Sequence, residues 1–220
     1  AGTSPRDVDG CIQAVVSGRG GPCHVQATGY LALLRALGFD AHLAAATIGE
    51  PGDHLVVVVY TEAGTFVSDV GNGHPYREPF ALRGQTRIAH LGWRFDAIGD
   101  GQEVRLTRTL DDGATRLVYR VDPQPTPFSA FQSIIDGHHE RVGFGPFLSG
   151  LRAVVIGDDR VVTLRDFRLQ RYGIAGATER SVWSRASAER VLNRQFGIEG
   201  SAVDAAFSRL GDRVAAWDTC

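Results

Sequence analysis

The chain has 220 residues, with 23 basic against 25 acidic side chains, a net charge of −2 and 43% hydrophobic residues. That balance argues against a basic nucleic-acid binder and against disorder, and the length suffices for one or two domains with a real core. Every basic residue is arginine, which removes a Schiff base, a pyridoxal-phosphate anchor and a Walker-type phosphate loop, because each needs a lysine ammonium. Methionine is absent, even at position 1, so a segment is expected to have been removed upstream. No run approaches the roughly 18 to 20 consecutive apolar residues of a membrane span, and the N-terminus lacks a signal pattern. The expected location is the cytoplasm, away from membranes. Cys11, Cys23 and Cys220 are too few and too far apart for a disulfide framework or a zinc site.

In chain order, residues 24–37 place Tyr30, Leu33, Leu34 and Leu37 at helical spacing, with Gly38 as a left-handed cap. The helix starts directly after GRGGPC, a tight entry that puts Cys23 at its N-terminus. From Ala41 the texture changes to β-branched runs at 54–60, 65–70, 105–112 and 115–122, joined by the turn signals EPGD, TEAG and LDDG. An antiparallel β-barrel or curled sheet is the natural architecture. DPQPTPFS at 122–129 reads as an extended crossing segment, and Phe131, Ile134 and Ile135 predict a short packed element after it. A hairpin follows around Asp158 and Asp159, then helices at 187–198 and from near Ser201 to about Trp217. The whole is an α+β chain: a helical segment at 1–40, a β-barrel at 41–126, and an inter-domain segment with an α/β lid at 127–220.

Cysteine nucleophiles act as thiolates, and a helix N-terminus favours the thiolate through its partial positive charge and free N–H groups. Cys23 has that position, although a free cysteine is also a common small core residue. The hairpin supplies partners. A turn centred on Glu62 and Ala63 sets Asp69 across from Val56, so His54, two residues along, shares its face as a diagonal neighbour. A carboxylate there can fix the imidazole tautomer and leave the other ring nitrogen to take a proton. Polar residues also simply terminate strands. It is the convergence with Cys23 that points to catalysis.

RGGPC, a helix ending in LRALGFDA, the strand-opening His54 and VSDVGNG together resemble the arylamine N-acetyltransferase family, whose pattern is RGGxC, His and DVGFG. PQPTPFSAF, VVTLRDFRL and SAERVLNRQFGI are similar to its inter-domain segment, lid hairpin and lid helix. The resemblance implies a papain- and transglutaminase-like cysteine fold with a Cys23–His54–Asp69 triad. It implies acyl transfer, normally from acetyl-CoA or another acyl thioester with no tightly bound cofactor, through a Cys23 thioester to a small-molecule arylamine or hydrazine.

In the family the turn holding Gly71 borders the pantetheine channel. Asn72 replaces the DVGFG phenylalanine that contacts the donor and acceptor pocket, and Thr126, Phe128 and Ser129 stand where the family contacts coenzyme A or closes the pocket. Val25 stands where the family has glutamate. A rebuilt pocket suits two related roles: amide synthesis that releases or cyclises a polyketide chain from an acyl carrier protein, and transfer of longer acyl groups. A papain-like hydrolase or an inactive homologue is the reading from another class. Only 22 residues precede Cys23, so the family's further N-terminal helices are expected to be supplied by an omitted segment or by another copy of the chain. Without them an apolar patch is exposed on the Cys23 helix. His24 is read as a packing or surface residue. His138 and His139 are consecutive, without ligand spacing, and no metal is expected. Arg165 and Arg168 are read as solvated surface.

Overall fold

A computed structural model describes residues 4–145, 147–148, 150–182, 184–198 and 200–210. Contacts divide the chain into two compact units, one ending at Ile135 and one beginning at Asp136.

The first unit opens with helix α1 (Val8–Val16), started by the Asp7 carboxylate, which accepts from the Gly10 N–H at 2.8 Å. Helix α2 (Cys23–Ala36) follows. It ends as the sequence predicts: Gly38 takes φ +88°, its N–H donates to Arg35 O, and Phe39 N–H donates to Leu34 O, the double closure that a left-handed glycine permits. Eight strands form one antiparallel sheet. They are β1 (Asp40–Thr47), β2 (His54–Thr61), β3 (Gly64–Ser68), β4 (Phe80–Ala81), β5 (Arg83–His90), β6 (Trp93–Asp100), β7 (Val104–Thr109) and β8 (Thr115–Pro125). Their order is β4-β3-β2-β1-β8-β7-β6-β5. The two edges are consecutive strands joined at Leu82, whose N–H donates to Thr65 O and whose carbonyl accepts from Gly101 N–H. The sheet therefore curls into a nearly closed barrel.

Alternation assigns each strand two jobs. Val56, Val58, Val67, Phe80, Phe95, Leu106, Tyr119 and Val121 fill the barrel interior. Leu43, Leu55, Val57 and Val59 face outward against Ala27, Leu31 and Leu34 of α2 and against Phe131 and Ile135. Burial on both faces explains the unbroken run HLVVVVY. Leu33 and Leu37 on α2 remain 54% and 66% exposed.

The proline-rich stretch differs from its reading as a crossing segment, because β8 continues through Pro125. The strand tolerates Pro123 and Pro125 because its pairing with β1 shifts register between Ala44 and Ala45, where Pro125 and Asp122 are the partners. A bulge at the end of a strand is where missing N–H donors cost least. A 3₁₀ turn (Phe128–Phe131) and helix α3 (Gln132–Glu140) form the predicted short packed element.

The second unit is a four-stranded antiparallel meander, β9 (Arg152–Ile156), β10 (Arg160–Arg165), β11 (Arg168–Gly173) and β12 (Gly176–Ser181), followed by α4 (Arg185–Phe196) and α5 (Gly200–Leu210). Leu164, Leu169 and Val182 bury one face against Ala188, Val191, Leu192, Val203 and Phe207. Ser184 caps α4 by accepting from Ser187 N–H, and Gly197 ends it in the left-handed conformation. The part of the last predicted helix beyond Leu210, up to Trp217, lies outside the described residues, as does Cys220. No helix among the described residues is long and apolar enough to cross a membrane.

Candidate active site

Three elements of the first unit bring Cys23, His54 and Asp69 together. Cys23 is the first residue of α2, entered through Pro22, whose extended ψ of 176° lets the helix start abruptly. No side chain caps that terminus, so the amides of the first turn have no side-chain acceptor. His54 opens β2, and the β2–β3 register pairs Val57 with Ser68 and Thr61 with Gly64 around Glu62 and Ala63. Asp69 follows directly and falls opposite Val56 by that register. His54 and Asp69 share the parity of the barrel-facing residues Val56 and Val67.

His54 is 2% exposed, and its Nε2 lies 2.9 Å from Asp69 Oδ2. The second carboxylate oxygen, Oδ1, accepts the backbone N–H groups of Gly71 at 2.8 Å and Asn72 at 3.1 Å. Burial raises the pKa of the Asp69 carboxyl, and the His54 charge and hydrogen bond, joined by the backbone hydrogen bond from Gly71, overcome this and hold it below the usual range. For His54 burial alone lowers the pKa. Asp69, by charge and hydrogen bond, and the neighbouring Cys23 outweigh burial and lift it to about 10. Asp69 thus favours the charged form of the imidazole it holds. Cys11, the other described cysteine, is buried with its thiol pushed up to about 11 by burial and by Asp7, which suits packing and not reaction.

Gly71 lies against Cys23 itself. A Cβ on Gly71 would lie 2.7 Å from Cys23 Cα and 2.9 Å from Cys23 Cβ, so only glycine lets this turn lie against the start of α2. Asn72 Oδ1 accepts from the Tyr76 hydroxyl at 3.5 Å and from His74 Nδ1. The His74 ring stacks on Tyr76 and meets Trp93 and Phe95 edge-on. Of the three residues after β8, Phe128 packs against the cluster that contains Cys23 and against Cys11, Ala14 and Val25. The Thr126 N–H donates to Leu43 O and its hydroxyl to Gln124 O, whereas Ser129 is exposed.

Sequence reasoning misses Tyr119 and Tyr76. The Tyr119 ring is fully buried 5.4 Å from the His54 ring. Its hydroxyl stands near Asp69 and Tyr76 but meets no partner at hydrogen-bond distance and angle. Burial first, then the Asp69 charge, pushes both phenols well above their ordinary pKa. The alternation of TRLVYRVD gives the inward direction of Tyr119. Only the non-consecutive β8–β1 pairing brings it beside His54, and no local pattern encodes that pairing.

Residues 9–204 match the model of an N-acetyltransferase family. The chain belongs to the arylamine N-acetyltransferase family. None of the curated proteins matches its sequence. Among solved structures, the arylamine N-acetyltransferase of Mycobacterium tuberculosis aligns over 94% of this chain and 82% of its own, at 19% identity and a TM-score of 0.80. That of Mycobacterium abscessus aligns over 97% and 79%, at 22% identity and 0.79. The Mycobacterium marinum enzyme, solved in complex with CoA, aligns over 96% and 83%, at 19% identity and 0.81. At these identities the likeness is one of fold: the arylamine N-acetyltransferase fold of N-terminal helices, a near-closed eight-stranded antiparallel barrel and a second sheet with helices. His24 is buried, its Nε2 bonded to Pro5 O at 2.9 Å, which makes it a packing residue. His138 lies between the rings of Phe144 and Phe147. Among the described residues no three potential ligands gather for a metal.

Proposed function

We propose that the chain is a thioester-dependent N-acyltransferase acting through Cys23, His54 and Asp69. The observation that carries this reading is the buried His54–Asp69 pair at 2.9 Å, with Cys23 beside it at the uncapped start of a helix. The CoA complex of the M. marinum relative supports an acyl-CoA donor.

The Cys23 thiolate attacks the carbonyl carbon of the donor thioester. The resulting tetrahedral oxyanion lies within the reach of backbone N–H groups at the start of α2, which need no reorganisation to stabilise it. Collapse of the intermediate breaks the donor C–S bond. The departing thiolate takes the proton of His54, leaving acyl-Cys23 and a neutral imidazole. An amine then attacks the acyl carbon, His54 accepts the amine proton, and the Cys23 thiolate is expelled. The ion pair is restored. Asp69 stays ionised throughout, holding the tautomer and orientation of His54. One transfer becomes two easier steps.

The acyl group is expected to be acetyl, and the acceptor an arylamine or hydrazine. Initial rates with acetyl-CoA and an arylamine should give parallel double-reciprocal lines, the mark of a covalent relay. Intersecting lines with a competent Cys23→Ala enzyme would overturn the assignment. Turnover only with an acyl group carried on a phosphopantetheinyl protein would move the chain to the amide-synthase branch.

A further inference from the structure

We propose that the second unit carries a binding site for a small phosphate-type polyanion, built by Arg171, Arg180, Arg190 and Arg194. The proposal stands on this unit alone and does not depend on the acyl-transfer reading.

Four arginines line one cavity of about 310 Å³ between the β11–β12 hairpin and α4, at the small end of the range for ligand sites. The pairing of Leu169 with Arg180 and of Arg171 with Thr178 puts both strand arginines on the face that carries the buried Leu169. On α4, Ser187, Arg190, Val191, Arg194 and Gln195 recur at helical spacing and form the opposite wall. Arg190 and Arg194 are four residues apart, a like-charge spacing that destabilises a helix.

Nothing among the described residues neutralises this set. The contacts of the four are with neutral groups: Arg171 donates to Gln195 Oε1 at 2.9 Å and Arg190 to Ser187 Oγ at 3.0 Å. The neighbouring carboxylates are committed elsewhere, Glu179 to Arg168 and Glu189 and Asp204 to Arg185. Val182 and Val191, both buried, form an apolar floor that strengthens any charge interaction above it. Single unpaired surface arginines are ordinary. Four around one concavity, each with N–H donors to spare, are repulsive without a ligand and complementary to a compact anion of two or more charges. The concave shape favours a small anion over an extended polymer.

The test is calorimetric titration of the full chain with sodium pyrophosphate. Saturable binding is expected, tightening as salt is lowered, with a rise in Tm that grows with ligand concentration. Arg190→Gln and Arg194→Gln should each weaken it by about tenfold or more. Without ligand both variants should melt no lower than wild type, since they relieve repulsion. Arg152→Gln, at an arginine of β9 outside the cavity, should leave binding unchanged. Absence of saturable binding, or binding that survives Arg190→Gln and Arg194→Gln, would overturn the proposal.

Two thioesters then identify the source of the phosphate. If the variants raise KM for acetyl-CoA but not for phosphate-free S-acetyl-N-acetylcysteamine, the site holds the donor's own phosphates. If both KM values stay put while pyrophosphate binding is lost, the ligand is a separate phosphate compound.

Discussion

Replacing Gly71 by alanine should cripple the proposed acyl transfer without substituting Cys23, His54 or Asp69. The new Cβ would sit 2.7 Å from Cys23 Cα, whereas ordinary contact begins near 3.4 Å. One backbone must therefore retreat by about 0.7 Å. Neither is free to do so: the Gly71 N–H is held by Asp69 at 2.8 Å, and Cys23 is bound into α2. Overpacking of this kind costs about 1 to 3 kcal/mol, which for a chain of this size lowers Tm by roughly 2 to 12 °C. The catalytic effect is larger, because misplacing a reacting group by about 1 Å costs on the order of 100-fold. Release of free CoA in a single turnover with acetyl-CoA isolates the first half-reaction, and its rate should fall by roughly 10- to 100-fold. Since Gly71 donates to Asp69 by its backbone, that hydrogen bond is not itself deleted. A Gly71→Ala protein with the wild-type acylation rate would refute the claim that this turn sets the position of the sulfur.

Asp69→Asn should keep the fold by circular dichroism and lower kcat by about 10³- to 10⁴-fold, since tautomer control is lost while the shape is kept; a loss under tenfold would contradict the orienting role. Tyr119→Phe removes a buried hydroxyl without a well-formed partner, so its Tm should equal or exceed wild type; a fall worth more than about 2 kcal/mol would show that the hydroxyl donates to Asp69. The pair also sets a pH window for stability. The His54 pKa is raised from 6.5 to about 10, so its contribution is complete below about 6.5 and is lost as pH climbs through about 10. The Asp69 pKa is lowered from 3.8, so its contribution is present above that value and is lost as pH falls below it. The Tm difference between wild type and His54→Gln should therefore be greatest between about pH 4 and 6.5 and shrink toward pH 10; a difference that grew with pH would contradict the ion pair.

Local patterns made much of this molecule legible. The spacing of Tyr30, Leu33 and Leu37 with Gly38 beyond them marks α2, and the two-residue turn at Glu62 and Ala63 fixes the register that aligns His54 with Asp69. What escaped was non-local or masked by competing signals. Strands β5 and β6 carry Gly, Arg and Asp in place of a β-branched run and are strands because they pair with each other and with β7. The prolines of β8 read as a linker, since nothing in the sequence announces the bulge that accommodates them. Gly71 was legible as a residue allowing close approach, but the surface it approaches, the backbone of Cys23, is set by how α2 meets the barrel. Arg171, Arg180, Arg190 and Arg194 are dispersed in the sequence and converge only when the β11–β12 hairpin packs on α4.

Intact-mass spectrometry of the protein mixed with acetyl-CoA, followed by addition of an arylamine, tests the central claim most directly. The predicted record is one added acetyl group per chain, located on Cys23 by peptide mapping and removed when the amine is added, with N-acetylated amine formed in equal amount. Acetylation that persists in Cys23→Ala, or an adduct on Cys23 that no amine discharges, would contradict it.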